Sequence, residues 1–300
     1  MIKSYSFNVP VISVGNLNAG GTGKTPMVEF LIDYFSEHYK VGVLSRGYKR
    51  KSKGFILASE KDDAKSIGDE PFQYFSKFKN IKVAVDTKRK RGITNLINYG
   101  VNMILLDDAF QHRKVIPTYS ILLTDYSNLY FNDYLMPRGT LRESKKGSIR
   151  ADSIIITKCP SNISDVDRFA IKKLVKPTPK QNIFFSSITY SKELFSLNNS
   201  INISKLNGKQ VNLVTGIANS KPLIKFLKNS GLEINHFKYR DHHDYSEKDV
   251  IDFQGRIIIT TEKDYTKLRK FNIKDLYYLP ISVNILENDN FLEILRAKIS

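Results

Sequence analysis

Residues 9–26 read VPVISVGNLNAGGTGKTP, and the fold is decided there. The apolar run VPVISVGN (9–16) reads as a strand buried on both faces, and TPMVEFLIDYFSEHY carries apolar residues at helical spacing. Between them stand Asn18, Ala19, Gly20, Gly21, Thr22, Gly23, Lys24, Thr25 and Pro26. A strand, a glycine-rich turn and a helix in that order let backbone N–H groups converge on phosphate oxygens at the positive end of the helix. The glycines supply backbone freedom, Lys24 the charge that reaches the β/γ-phosphates, and Thr25 a hydroxyl for Mg²⁺. The usual pattern begins with glycine. Asn18 stands there instead, and Asn tolerates left-handed backbone better than most residues. The stretch predicts a nucleotide site.

Further apolar runs follow at VGVLSRG (41–47), IKVAVD (81–86), VNMILLDD (101–108), YSILLTD (119–125) and ADSIIITK (151–158), with helical stretches around 68–78 and 87–99. Strand and helix alternating in this way predict an α/β protein, a P-loop NTPase-like doubly wound, mostly parallel sheet. The second half starts afresh with NIFFSSITY (182–190), a polar Asn/Ser-rich stretch at 196–204, VNLVTG (211–216), LEINHFKY (232–239), RIIITTEKD (256–264) and LYYLPISVNI (276–285), and reads as a second, smaller α/β lobe. KPTPK (176–180), with two prolines, is the expected linker. MILLDDAFQH (103–112) ends its strand in two aspartates, where a carboxylate would sit beside the metal; Asp107 and Asp108 are the candidates.

The chain has 300 residues, 47 basic against 30 acidic, a formal charge of +17. Such an excess favours polyanions: nucleic acid, anionic lipid or phosphorylated substrates. A lysine-rich proteome produces the same excess. The basic clusters at 49–53, 88–91 and 145–146 have no RNA-binding fingerprint beside them, and no nucleic-acid partner is expected. The single cysteine, Cys159, excludes an internal disulfide framework and a Cys-based zinc cluster, fits a reducing compartment and reads as structural. No apolar stretch approaches the ~20 residues of a membrane span, and no signal peptide is read at the start. A guanine reader is missing: TKCP (157–160) lacks the aspartate, and TEKD (261–264) has the residues in another order.

The string VISVGNLNAGGTGKTP resembles the opening of the tetraacyldisaccharide 4′-kinases, and LSRGY (44–48), GDEP (68–71), LLDDAFQHR (105–113), MPRGTLRE (136–143), DHHDY (241–245) and TEKD (261–264) follow in that family's order. The resemblance covers nearly the whole chain from residue 9. One departure is that family members usually carry an N-terminal hydrophobic or amphipathic helix before the first strand, whereas this chain starts almost at that strand.

The resemblance implies a kinase using ATP and Mg²⁺ to phosphorylate the 4′-hydroxyl of a tetraacylated glucosamine disaccharide 1-phosphate, a lipid of the inner leaflet. It implies a peripheral enzyme at the cytoplasmic face of the inner membrane, where a basic chain meets an anionic surface. Residues 1–180 are then the nucleotide-binding kinase domain and 181–300 a smaller lobe closing over the site. Asp69 in GDEP is implied as catalytic base; read from the residues alone, an Asp there with Pro71 in the first turn is a helix cap. His242 is its implied partner from the second lobe, with His243 the adjacent alternative. Arg46, Tyr48, Gln111 and His112, at strand ends, are implied to line the site, and Arg138, Arg142 and Glu143 to hold the substrate and its phosphate. Glu262, with Asp264, is implied to reach the nucleotide. Two rival readings stay open: a P-loop transferase or ligase on a soluble substrate, and an ATPase switch that binds a polyanion.

Overall fold

The computed structural model describes residues 4–253 and 255–299. The chain divides into two compact units. The first runs to Ile188 and takes in the chain from Val283 onward; the second is Thr189–Ser282.

The first unit begins with β1 (Val11–Asn16), α1 (Lys24–Phe35), β2 (Val41–Ser45), β3 (Ile56–Leu57), α2 (Ala64–Ile67), α3 (Asp69–Lys77), β4 (Lys82–Val85) and α4 (Arg89–Asn98). It continues with β5 (Met103–Asp107), β6 (Tyr119–Asp125), β7 (Ser153–Thr157), α5 (Asp165–Val175) and β8 (Asn182–Tyr190). In the second unit stand β9 (Glu193–Phe195), β10 (Ser200–Asn202), β11 (Gln210–Thr215), α6 (Lys221–Asn229), β12 (Glu233–Lys238), α7 (Glu247–Phe253), β13 (Ile258–Thr261), α8 (Glu262–Leu268) and β14 (Leu276–Leu279). Strand β15 (Ile281–Ile285) and helix α9 (Asn288–Ile299) close the chain.

Among the described residues nine strands form one sheet in the order β15-β8-β7-β6-β1-β5-β2-β4-β3. β1 runs parallel to both β5 and β6, and the parallel pairing extends through β2 to β4 and through β7 to β8; the two edge strands are antiparallel, the short β3 to β4 and β15 to β8, where Ser191 N donates to Pro280 O and Leu286 N to Phe185 O. A parallel sheet needs cover on both faces, which is why its strands are continuous Val/Ile/Leu runs. Ile12, Val14, Ile121, Leu123 and Ile155 face one side, packed with Met27, Leu31 and Ile32 of α1, Tyr74 of α3 and Phe291 and Leu295 of α9. On the opposite side Val11, Ile104 and Leu106 meet Ile93 and Leu96 of α4, and Leu122, Ile154 and Ile156 meet Ile171 of α5. This is the doubly wound α/β architecture expected.

The division of the chain differs from the expected break at 180. KPTPK leads from α5 into β8, and β8 pairs in parallel with β7, Ile154 opposite Ile183, so NIFFSSITY belongs to the first sheet. LYYLPISVNI is two strands, because Pro280 has no N–H to continue a ladder. Its first half, β14, joins the second sheet, and its second half, β15, neighbours β8 in the first.

The second unit carries a six-stranded sheet among the described residues, order β10-β9-β14-β13-β11-β12. β11, β12, β13 and β14 are mutually parallel, and the β9–β10 hairpin is antiparallel at one edge, where the sequence read only a polar stretch.

Candidate active site

The loop between β1 and α1 sits at the carboxyl edge of the first sheet, where α/β folds bind ligands. Gly23 takes left-handed backbone (φ 85°) and starts α1 at Lys24. Side chains placed at Gly20 or Gly21 would meet nothing within 4 Å, so the loop's outer surface is open. Its inner side is tied down. Thr157 Oγ1, at the end of β7, donates to Thr22 O at 2.8 Å, and Lys158 Nζ donates to Gly21 O. These two residues, seen in the sequence only as part of a failed guanine reader, buttress the phosphate loop.

Asn18 is buried, and its role differs from the one expected. It is not among the left-handed residues described. Its side-chain amide instead donates to Asp133 Oδ2 at 2.8 Å, and Leu141 forms a bridge to its backbone. With Ala19 N donating to Thr140 O at 2.6 Å, the loop is anchored to the segment between β6 and β7. Asp133 also accepts from Thr140 and Tyr134, and these bonds hold its carboxyl down at about 2.

Lys24 Nζ lies 3.3 Å from Asn16 Oδ1 and 3.6 Å from Asp108. Asp108 takes left-handed backbone (φ 48°) as the chain turns out of β5, and one Arg142 nitrogen stands 3.0 Å from both its oxygens. Burial alone would raise Asp108; Lys24 and Arg142 reverse that and hold it below its usual value. The turn closes on β1 because residue 15 is glycine: a Cβ there would sit 2.7 Å from Phe110 Cβ. Gln111 then donates to Asn16 O at 2.7 Å and to Glu143 at 3.2 Å, and Glu143 pairs with Arg150 at 2.7 Å.

Asp107, the last residue of β5, is buried, and its carboxyl is pushed up to about 7. Burial is the main cause, with Asp108 and Glu70 adding to it and Lys24 and Arg89 opposing it. Tyr74, wholly buried with its phenol near the Thr25 side chain, feels the same excess: burial, then Asp107, Glu29 and Glu70, push its phenol well above its usual range. Thr25, Asp107 and Asp108 are an oxygen-only donor set, in which Asp108 is paired to Lys24 and Arg142 while Asp107 has no ion pair among the described residues. It fits a hard divalent cation that keeps waters and phosphate oxygens as its other ligands.

Asp69 opens α3 behind Gly68, whose left-handed backbone (φ 100°) brings it against the loop after β2; a Cβ on Gly68 would be 3.3 Å from Gly47 Cα and Tyr48 O. Gly68 is the N-cap and Asp69 the first helical residue, so Asp69 is not the capping residue. Buried Glu29 of α1 sets the position of α3, accepting from Gln73 and from Lys77 at 2.8 Å each.

Over residues 1–300 the chain matches the family model LpxK, tetraacyldisaccharide-1-P 4′-kinase. The chain belongs to this family. Relatives named tetraacyldisaccharide 4′-kinase include one from Flavobacterium johnsoniae, 44% identical over 98% of this chain and 88% of that protein, and one from Bacteroides thetaiotaomicron, 42% identical over 96% and 83%. A crystal structure of LpxK from Aquifex aeolicus in complex with ATP superposes with a TM-score of 0.79 at 30% identity, over 99% of this chain and 91% of that one. As a tetraacyldisaccharide 4′-kinase the protein is an enzyme, a phosphotransferase of lipid A biosynthesis. Among the described residues no helix is long and apolar enough to cross a membrane.

In this kinase the first unit gathers Lys24 of the phosphate loop, Asn16, Asp108, Gln111, Arg142 and Glu143 into one bonded network. His112 is half-buried, and burial together with Arg89, Lys114 and Arg46 lowers its pKa. Arg46 and Tyr48 are exposed beyond β2. Arg138 is exposed with its guanidinium 4.5 Å over the Tyr134 ring, so its recorded partner is the loop tip and not the phosphate loop. Cys159 is buried, and burial pushes its thiol up to about 12, which suits a structural role.

Within the second unit His242 takes left-handed backbone (φ 59°), and its Nε2 lies 3.0 Å from Lys263 Nζ. An ammonium only donates, so Nε2 accepts there and the proton sits on Nδ1. His243 stacks on Tyr239 and lies 3.2 Å from Asp249. Glu262 is the first residue of α8, half-buried. Asp264 is fully buried, accepting from Gly216 N at 2.9 Å and Thr261 Oγ1 at 2.7 Å.

Arg89 and Glu70 escaped the sequence reading. Arg89 is buried at the start of α4, donates to Asp86 O, and feels Asp107, Arg46 and Asp108; burial lowers its pKa to about 10. It was hidden in the basic run 88–91, although its place just beyond the carboxyl end of β4 marks the ligand edge.

Proposed function

We propose that this kinase transfers the γ-phosphoryl group of ATP to the 4′-hydroxyl of tetraacyldisaccharide 1-phosphate at the cytoplasmic face of the inner membrane, with Asp69 as base and Lys24 and Arg142 stabilising charge. The observation that carries it is the convergence at one sheet edge of an open phosphate loop, Lys24 and the Asp107–Asp108 pair. Asn18 to Pro26 cradle the phosphates, with Lys24 held at the loop by Asn16 and Asp108. Thr25 and Asp107 would hold Mg²⁺, which supplies Lewis-acid neutralisation of the phosphate oxygens when bound. Asp108 serves instead as the shared anchor of Lys24 and Arg142.

In the transfer, a bond forms between the sugar oxygen and the γ-phosphorus while the bond to the β–γ bridging oxygen breaks. The hydroxyl proton passes to Asp69, and ADP leaves. His242, which the family resemblance pairs with Asp69, is the proposed positioning residue for that base. Arg46, Tyr48, Gln111 and His112 line the acceptor side, Glu143 fixes Gln111, and Glu262 reaches the nucleotide.

The test is incubation with γ-labelled Mg-ATP and detergent-dispersed tetraacyldisaccharide 1-phosphate. Label is expected on the lipid, and Asp69→Ala is expected to lower it about 10²–10⁴-fold while ATP binding stays. ATP binding with no labelled lipid would hand the protein to a soluble acceptor. Hydrolysis stimulated by polyanion would make it a switch.

A further inference from the structure

Helix α5 is apolar on the side that should be polar. Its inward side is accounted for: Ile171 joins the core beneath β7 and β8, Val175 packs against that core, and Arg168 lies 5.9 Å over Phe185. On the other side, at 3.6 residues per turn, Val166, Phe169, Lys173 and Leu174 share a stripe. Val166 is 78% exposed, Phe169 61% and Leu174 55%. An ordinary surface helix turns charged and polar residues outward. Lys173 holds its ammonium 4.7 Å over the Phe169 ring, and Lys176 and Lys180 follow at the same end of the helix, while Lys172 lies inward, 5.8 Å over Phe185.

The loop after β6 repeats the pattern. Tyr134, Leu135 and Met136 are each more than half exposed, with Arg138 and Lys145 over the Tyr134 ring at 4.5 and 5.5 Å. These two places hold six of the twelve large apolar side chains exposed among the described residues. Both lie over one core: Tyr130 and Leu141 of the loop and Ile163 and Ile171 of the α5 segment belong to the same cluster. The stretch 134–180 contains 11 basic and 4 acidic residues. A second copy would bring like charge against like charge, and nucleic acid has no use for the apolar stripe. An anionic interface satisfies both, taking rings and aliphatic chains at headgroup depth and lysine heads at the phosphates.

We propose that the outward face of α5 lies flat on an anionic phospholipid bilayer, with the Tyr134–Met136 tip as a second point of contact. The proposal deepens the lipid-kinase reading and rests on it for its purpose: the face would hold the enzyme where its acylated substrate resides.

The chain contains no tryptophan, so Phe169→Trp gives a single reporter. With vesicles of phosphatidylglycerol and phosphatidylcholine, its emission is expected to shift to the blue and to be quenched by brominated acyl chains. Pure phosphatidylcholine should leave it unchanged, as should Leu197→Trp, an exposed control in the second unit. Replacing Val166, Phe169 and Leu174 together by Ser is expected to weaken vesicle partitioning at least about tenfold while activity on detergent-dispersed substrate persists. An unshifted Phe169→Trp spectrum with the mixed vesicles overturns the proposal. So does a blue shift that grows with protein concentration in the absence of vesicles, which would assign the face to a second copy. Vesicle binding in a protein that phosphorylates no lipid in detergent would sink the lipid-kinase reading instead.

Discussion

Asp107→Asn should make the protein more stable, and increasingly so as pH rises. The carboxyl ordinarily titrates near 3.8 and is pushed up to about 7 in the folded chain, mainly by burial. The folded state therefore binds this proton more tightly than the unfolded state, and stability falls with pH between the two values. Below 3.8 both states are protonated and nothing is lost. Above 7 the loss is complete, and at 1.36 kcal/mol per pH unit the gap corresponds to about 4 kcal/mol. At pH 5 about 1.5 kcal/mol of it has accrued by the same relation. Asparagine keeps the shape and carries no proton equilibrium, so without nucleotide or metal the variant should melt several degrees above the parent at pH 8 and only slightly above it at pH 4. Mg-ATP should narrow the difference at pH 8, since a bound cation offsets the buried charge in the parent alone. A variant equally or less stable than the parent across the whole range would refute the reasoning, because Asp107 would then be compensated by something other than a proton.

Asn18→Gly restores the usual first residue of the loop yet removes the buried bond to Asp133; a loss of about 1–3 kcal/mol in urea unfolding is expected, with weaker ATP binding. Arg142→Lys keeps the charge but removes the Nη1 that stands 3.0 Å from both Asp108 oxygens, on a shorter and differently shaped head, so kcat should fall about 10-fold or more with little change in stability, read from steady-state kinetics and melting. Lys263→Gln removes the ammonium that fixes the His242 tautomer. NMR of the imidazole nitrogens should show the Nδ1-protonated form losing its dominance, a change that a purely surface lysine would not produce.

The first sheet was legible because parallel strands covered on both faces must be continuous apolar runs, and VISVGN, VGVLS, MILLD and SIIIT each became a strand. Helix α5 was not, since its apolar residues occupy both sides and leave no helical period to read. Pro280 marked the break between β14 and β15, but a proline does not say which sheet the next strand will enter. The phosphate loop and the two aspartates declared themselves by spacing. Their supports did not: Thr157 and Lys158 act through contacts 135 or more residues away in sequence. Arg89 and Arg91 sat in a basic run that reads as solvated, yet one is buried at the site and the other forks onto Asp86 at 2.8 and 2.9 Å. Asn18 was noticed for the wrong property, its backbone tolerance, when its amide does the work.

The chain leaves the first unit along β8 and returns to it along β15, so the second unit is a single loop-like excursion from an unfinished domain. Phe291, Leu292 and Leu295, which fill the core beside α1, come in the chain only after that excursion. While the ribosome is still making the excursion, α1 must wait with part of its apolar side uncovered, and the phosphate loop it carries cannot be fully seated. Loss of α9 should thus be felt at the nucleotide end of α1. Helix α9 acts as the keystone of a part that was made well before it.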